Sequence, residues 1–182
     1  MKSIFSKGIV RYLRPLPVIL GLSFAGVSAV TVGAVVNGMD VPTFIASLNT
    51  KQVTVAELQQ GKLQPVLLID VRSPEEYAED RIGQSLLVPL TDIEADFGVK
   101  RIRAITQASA KSNQPQPTLV LYCTAGMRSV KAYQQLKNTG LNLVVLKGGI
   151  KAWREAVPAQ QDAQMLAPII KPVKQSAKSR LT

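Results

Sequence analysis

An α/β domain built on a mainly parallel sheet is the fold this sequence predicts, and three observations lead to it. Between Thr50 and Pro158 short apolar runs alternate with helical stretches, the pattern of successive βα units. Ahead of that region the chain from Pro15 to Met39 carries no charged residue, which marks a segment of different character. The net charge of +10 is also unevenly spread: residues 1–14 contribute +4 and residues 159–182 contribute +3, so 37–158 hold only +3. With aromatics at 5% and the bases gathered at the ends, the charge does not describe a nucleic-acid-binding face. The chain divides on this basis into a basic segment (1–14), an apolar segment (15–36), a linker (37–49), the α/β domain (50–158) and a basic flexible tail (159–182).

Taken in order, the apolar segment comes first. The run PLPVILGLSFAGVSAVTVGAVV is long enough to cross a bilayer, which takes about 20 residues of helix. Its basic flank predicts a cytoplasmic N-terminus, a single pass, and a domain on the far side of the membrane, in a periplasm or lumen. A cleaved signal peptide is the competing expectation, since Val27-Ser28-Ala29 and Val32-Gly33-Ala34 both offer small residues to a peptidase, and it would secrete the domain to the same compartment. Within the domain, VTVAELQQGK opens as a short strand and a helix, and PVLLID (65–70) is a buried-type strand stopped by Ser73-Pro74. EEYAED reads as a short acidic helix and SLLVPL (85–90) as the next strand. TDIEADFGVKRIRAITQASA (91–110) is expected as one amphipathic helix with Ile93, Phe97, Ile102 and Ile105 on its core face. After the polar linker KSNQPQP come the strand TLVLYC (118–123), a helix stopped by Gly140, the strand NLVVLK (142–147) and a closing helix in GGIKAWREA.

Two counts narrow the chemistry. There is no histidine, so a Ser-His-Asp triad and imidazole acid–base catalysis are excluded. There is one cysteine, so the chain forms no internal disulfide and holds no CxxC pair. That cysteine stands between a strand and a helix, in Cys123-Thr124-Ala125-Gly126-Met127-Arg128-Ser129. Amides at a helix N-terminus point outward unpaired, and a loop curling into a helix makes a nest for an anion. A thiolate there is stabilised and nucleophilic at neutral pH, with Arg128 as a permanent neighbouring cation and Gly126 permitting the sharp turn.

Three stretches resemble the rhodanese family of sulfurtransferases. LLIDVRSPEEYAEDRI (67–82) is similar to that family's opening signature, CTAGMRS to its active-site loop, and LKGGIKAWREAVP (146–158) to its closing segment. The resemblance implies a three-layer domain and a persulfide mechanism. Cys123 would be the nucleophile, with Thr124, Ala125, Gly126, Met127, Arg128 and Ser129 holding the sulfur and its donor. The partners implied are a small-molecule or protein sulfur donor and acceptor, with no metal and no cofactor.

Two positions depart from the family pattern. Arg81-Ile82-Gly83-Gln84-Ser85 stands where a His-Ile-Pro-Gly-Ala run is usual, and Thr124 where arginine is frequent. One cation fewer beside the sulfur implies modest affinity for dianionic thiosulfate. Related phosphatases place a longer loop after a His-Cys pair; here four residues, Thr124 to Met127, separate Cys123 from Arg128, and Tyr122 precedes the cysteine. Asp70 is expected to support the site by accepting hydrogen bonds from backbone amides near the loop, Arg72 to pair with a carboxylate, and Trp153 to lie in the core. The reading from a different class is a binding module of the same fold that recruits a partner at the membrane without turnover.

Overall fold

The computed structural model describes residues 29–36, 38–63, 65–111 and 115–162. Five strands form one parallel sheet: β1 (Gln52–Val53), β2 (Val66–Asp70), β3 (Leu86–Leu87), β4 (Thr118–Tyr122) and β5 (Leu143–Leu146), in the order β1-β5-β4-β2-β3. β4 lies at the centre and is buried along its whole length. A strand covered on both faces reads as an unbroken apolar run, which is why LVL in its middle shows no alternation.

Successive side chains of β4 still point to opposite faces, and each face has its own helices. Leu119, Leu121 and Cys123 belong to a core closed by α5 (Leu90–Glu94), α6 (Phe97–Lys111) and α7 (Met127–Leu136). Val120 and Tyr122 belong to a second core, closed by α3 (Val55–Gln59) and α8 (Gly149–Ala156). The expected α/β domain with a parallel sheet and three layers is therefore the observed one. Trp153 of α8 is buried in the second core, as expected, and its Nε1 donates to the Asp162 carboxylate at 2.8 Å.

Several boundaries differ from the sequence reading. The single helix expected over 91–110 is two, because Asp96 sits at φ 63 and turns the chain between α5 and α6. A Cβ on Gly98 would lie 2.9 Å from the Ile93 amide nitrogen, so the two helices meet too closely for one continuous apolar face. Ile93 and Ile102 remain buried, but the phase change leaves Phe97 71% exposed and Ile105 half-buried. The strand expected over 85–90 is only Leu86–Leu87; Pro89 has no N–H to continue a ladder, and α5 begins at Leu90. The helix ending expected at Gly140 comes earlier, at Leu136, with Gly140 at φ +77 in the following turn.

The chain flanking the domain also differs. Within the stretch read as a linker, Val41–Leu48 is a helix, α2, capped by the Asp40 carboxylate, which accepts the Thr43 amide at 2.9 Å. It packs on α7, where Gln134 Nε2 donates to the Ala46 carbonyl and to Thr50 Oγ1. At the other end, residues 159–162 are not tail. Ala159–Gln161 form a 3-10 turn that delivers Asp162 to Trp153, to Arg154 and to the Gly83 amide, and its carboxylate accepts from all three. Residues 163–182, and the basic segment 1–14, lie outside the described residues.

Of the apolar segment, residues 15–28 lie outside the described residues and Ala29–Val36 is a helix, α1. Among the described residues no single helix is long and apolar enough to cross a membrane. α1 and α2 stand at 94° to one another.

Candidate active site

The site forms where β4 ends and α7 begins, at the carboxyl edge of the sheet, where ligands bind in open parallel folds. Cys123 continues the alternation of β4, so its side chain points toward the start of α7 and is 2% exposed. Gly126, the residue before α7, sits at φ 119 and ψ −27, a conformation open to glycine and strained for any other residue. That backbone turn aims the Gly126 amide at the sulfur, with N to Sγ at 3.1 Å. Ser129, one turn into α7 and also buried, has its Oγ 3.7 Å from Sγ while it donates to the Gly126 carbonyl at 2.9 Å.

The loop is held from a second direction by the first turn of α8. The Ile150 amide donates to the Cys123 carbonyl at 2.8 Å and the Lys151 amide to the Thr124 carbonyl at 3.2 Å. Gly149, at φ +61, allows this approach: a Cβ there would run into the Cys123 carbonyl and lie 2.8 Å from that of Thr124.

Arg128 and Thr124 are both engaged by Glu76 of α4 (Pro74–Glu79), a partner the sequence reading does not foresee. Arg128 donates to the two Glu76 oxygens at 2.5 and 2.7 Å and to Thr124 Oγ1 at 2.8 Å, and Thr124 Oγ1 donates to Glu76 at 2.9 Å. A bidentate Arg–carboxylate pair fixes both partners in one plane, so Arg128 anchors the loop and its charge is largely matched. Glu76 also accepts from the Ser73 amide while Ser73 Oγ caps the helix, a reciprocal box spelled out in Ser73-Pro74-Glu75-Glu76. The sequence reading placed Glu76 in a short acidic helix but foresaw neither this box nor the partner 52 residues on.

Arg128 first, against the opposing effect of burial, and then the Ser73 amide and Thr124 hydroxyl hold the Glu76 carboxyl down at about 2, from an ordinary 4.5. Because the folded value is the lower one, the clasp contributes stability above about pH 4.5 and loses it as pH falls toward 2. Melting curves on wild type and Glu76→Gln are therefore expected to converge in that acid window and to separate at neutral pH, wild type being the more stable. Equal melting temperatures at neutral pH would refute the clasp.

Asp70 and Arg72 bond to each other. The buried Asp70 carboxylate accepts the Arg72 amide at 2.9 Å, Nε at 3.0 Å and the terminal guanidinium nitrogen at 2.7 Å. The amide Asp70 takes is thus that of Arg72, not one from the cysteine loop, while Arg72 has the carboxylate partner expected of it. Of the remaining predicted residues, Ala125 is exposed at the loop tip and Met127 is half-buried at the start of α7.

Met39, which the sequence did not single out, reaches the loop from the turn between α1 and α2: its Cε lies 3.2 Å from where a Cβ of Gly126 would stand. Beside it, α2 and the loop enclose a cavity of about 650 Å³ bordered by Met39, Phe44, Leu48, Ala125, Gly126 and Lys147. Among the described residues no cluster of three or more His, Cys, Asp or Glu side chains is arranged to hold a metal.

This geometry agrees with the comparison to known proteins: the description of the rhodanese-like domain matches residues 51–156. The chain belongs to the rhodanese-like domain family. A Synechocystis relative, the uncharacterized protein slr1261, is 34% identical over 116 residues, which make up 62% of this chain and 58% of that protein. The adenylyltransferase and sulfurtransferase MOCS3 of Drosophila persimilis is 35% identical over 103 residues, 56% of this chain and 22% of that one. A solved rhodanese-like domain protein from Staphylococcus aureus aligns with a TM-score of 0.43 at 28% identity, covering 57% of this chain and 91% of its own. The rhodanese-like region thus has sulfurtransferase-related relatives, and its bounds include the cysteine loop, Glu76 and the Gly148-Gly149 turn.

Proposed function

We propose that this rhodanese-like domain is a sulfurtransferase that carries sulfane sulfur on Cys123. The observation that supports this reading is the Gly126 amide aimed at Sγ from 3.1 Å at the mouth of α7, which favours an anionic sulfur. In the reaction the thiolate attacks the outer sulfur of a donor such as thiosulfate; the donor S–S bond breaks and sulfite leaves with the electron pair. The resulting Cys–S–S⁻ then gives its terminal sulfur to a nucleophilic acceptor, a thiol or cyanide, which regenerates the thiolate. The step starts from the thiolate and calls on no histidine. With Arg128 committed to Glu76, a dianionic donor meets little free positive charge at the loop, and thiosulfate is expected to serve as a weak donor.

The test is thiosulfate:cyanide turnover together with intact mass after donor treatment. Wild type is expected to gain the mass of one sulfur atom and to form thiocyanate, while Cys123→Ser does neither. A folded wild-type protein that forms no adduct with thiosulfate or with persulfide donors would leave the binding-module reading in its place.

The reading includes location. The charge-free run with its basic flank supports a single-pass anchor with a cytoplasmic N-terminus and the domain on the other side, or release there after signal cleavage. In right-side-out membrane preparations, protease added outside is expected to digest the domain; its protection there, with digestion from the cytoplasmic face, would reverse the orientation.

A further inference from the structure

The bend between α1 and α2 is built into the chain. Gly38, at φ +62, ends α1, with its amide on the Val35 carbonyl at 3.1 Å and that of Met39 on the Ala34 carbonyl at 3.0 Å. The Asp40 cap and Pro42 in the first turn then start α2 in a new direction. Phe44 of α2 rests against Gly33 of α1, where a Cβ would meet the ring at 2.6 Å.

α2 spends its polar side chains inward. Thr43 and Ser47 are buried against the domain, and Gln134 of α7 bonds to its last turn. What it leaves outward is apolar: Val41, Ile45 and Leu48, at i, i+4 and i+7, are 36%, 47% and 65% exposed. On α1, Val32, Val35 and Val36 are exposed as well, by 62%, 79% and 79%. Single exposed aliphatics are ordinary on a soluble surface, whereas six on two adjoining helices form a patch that expects a partner. The sequence leading into this patch bears no charge from Pro15 to Met39. A chain that leaves a bilayer along its normal and turns by 94° runs next in the plane of the membrane.

We propose that α2 is an interfacial helix whose Val41, Ile45 and Leu48 lie at the headgroup–acyl boundary of the bilayer, directly continuing the apolar segment 15–36. The inference rests on the anchored reading of that segment and adds a surface to it. Burial of such a face draws on the same transfer free energy as a protein core. It also orients the domain. Leu48 borders the cavity beside the cysteine loop, as does Met39, so the opening next to Ala125 and Gly126 is held against the lipid surface.

The test uses the full chain in a Cys123→Ser background, with one cysteine introduced at Ile45→Cys or, at the opposite edge of the sheet, at the exposed Gln84→Cys. Each is labelled with an environment-sensitive nitrobenzoxadiazole group and reconstituted into vesicles of phosphatidylcholine and phosphatidylglycerol carrying a quencher high on the acyl chain. The label at 45 is expected to shift to the blue and lose most of its emission, while the label at 84 loses none. Chain that floats with the vesicles but shows equal, unquenched emission at both positions would overturn the interfacial helix and leave the anchor standing. A label at 45 that is shielded only as protein concentration rises would overturn it in favour of a second copy of this chain. Failure to float at all would remove both readings.

Discussion

Gly149→Ala is expected to lower stability by about 2–5 kcal/mol, from about 1–2 for a non-glycine residue in the left-handed region and about 1–3 for overpacking. The added methyl meets the Cys123 carbonyl and lies 2.8 Å from that of Thr124, and neither obstacle is a side chain able to swing away. Relief requires the first turn of α8 to withdraw, which breaks the Ile150 and Lys151 amide bonds that hold the cysteine loop from behind. In the proposed reaction, moving the sulfur by about 1 Å costs on the order of a hundredfold in rate. Gly140→Ala separates the two effects. It carries the same kind of strain, φ +77, but nothing stands within 4 Å of its Cβ, so it is expected to cost only the strain and to leave sulfur transfer unchanged. Urea titrations and single-turnover persulfide formation on the two variants measure this. Wild-type turnover in Gly149→Ala would show that the turn does not position the loop.

The difference between these two glycines marks what the sequence could and could not disclose. The βα alternation, the central strand TLVLY and the position of Cys123 between strand and helix are local features, and each was readable because period, length and turn chemistry lie in neighbouring residues. The clasp on Arg128 was not. Glu76 was visible as part of a short acidic helix, but nothing in that run says which cation will come to rest on it from 52 residues away. For that reason Arg128 was expected beside the sulfur with no mention of the carboxylate that clasps it. Phe97 failed for a related cause. Helical period placed it with Ile93 and Ile102, and one residue at positive φ, Asp96, resets that period in a way the apolar pattern does not reveal. Asp162 looked like part of a solvated basic tail because its three donors, on Gly83, Trp153 and Arg154, converge only once the chain has folded.

Asp70→Ala is expected to be the most damaging single change to stability, at about 3–5 kcal/mol, the usual consequence of removing one member of a buried ion pair. Arg72 is 5% exposed and, burial opposing, owes its raised pKa first to Asp70. Without that carboxylate the guanidinium keeps the Asp80 carbonyl, the face of Tyr122, 5.8 Å from its ring centre, and the more distant charges of Glu76 and Asp80, which leaves a desolvated charge poorly matched. The damage would reach the site through the sheet: Asp70 stands opposite Tyr122 in the β2–β4 register, the Val71 amide donates to the Tyr122 carbonyl, and Cys123 follows directly. An orphaned charge and a lost contact are distinguished by removing both partners. Asp70→Ala combined with Arg72→Met takes away the charge along with its counter-ion and keeps an apolar stem of similar length, so it is expected to recover most of the stability lost by Asp70→Ala alone. If the double variant is as unstable as the single one in urea titration, the loss comes from packing at the end of β2 and not from the stranded guanidinium. Asp70→Asn, which keeps the acceptor oxygen while removing the charge, is expected to fall between wild type and Asp70→Ala, because part of the hydrogen bonding to Arg72 survives while the Coulombic part does not.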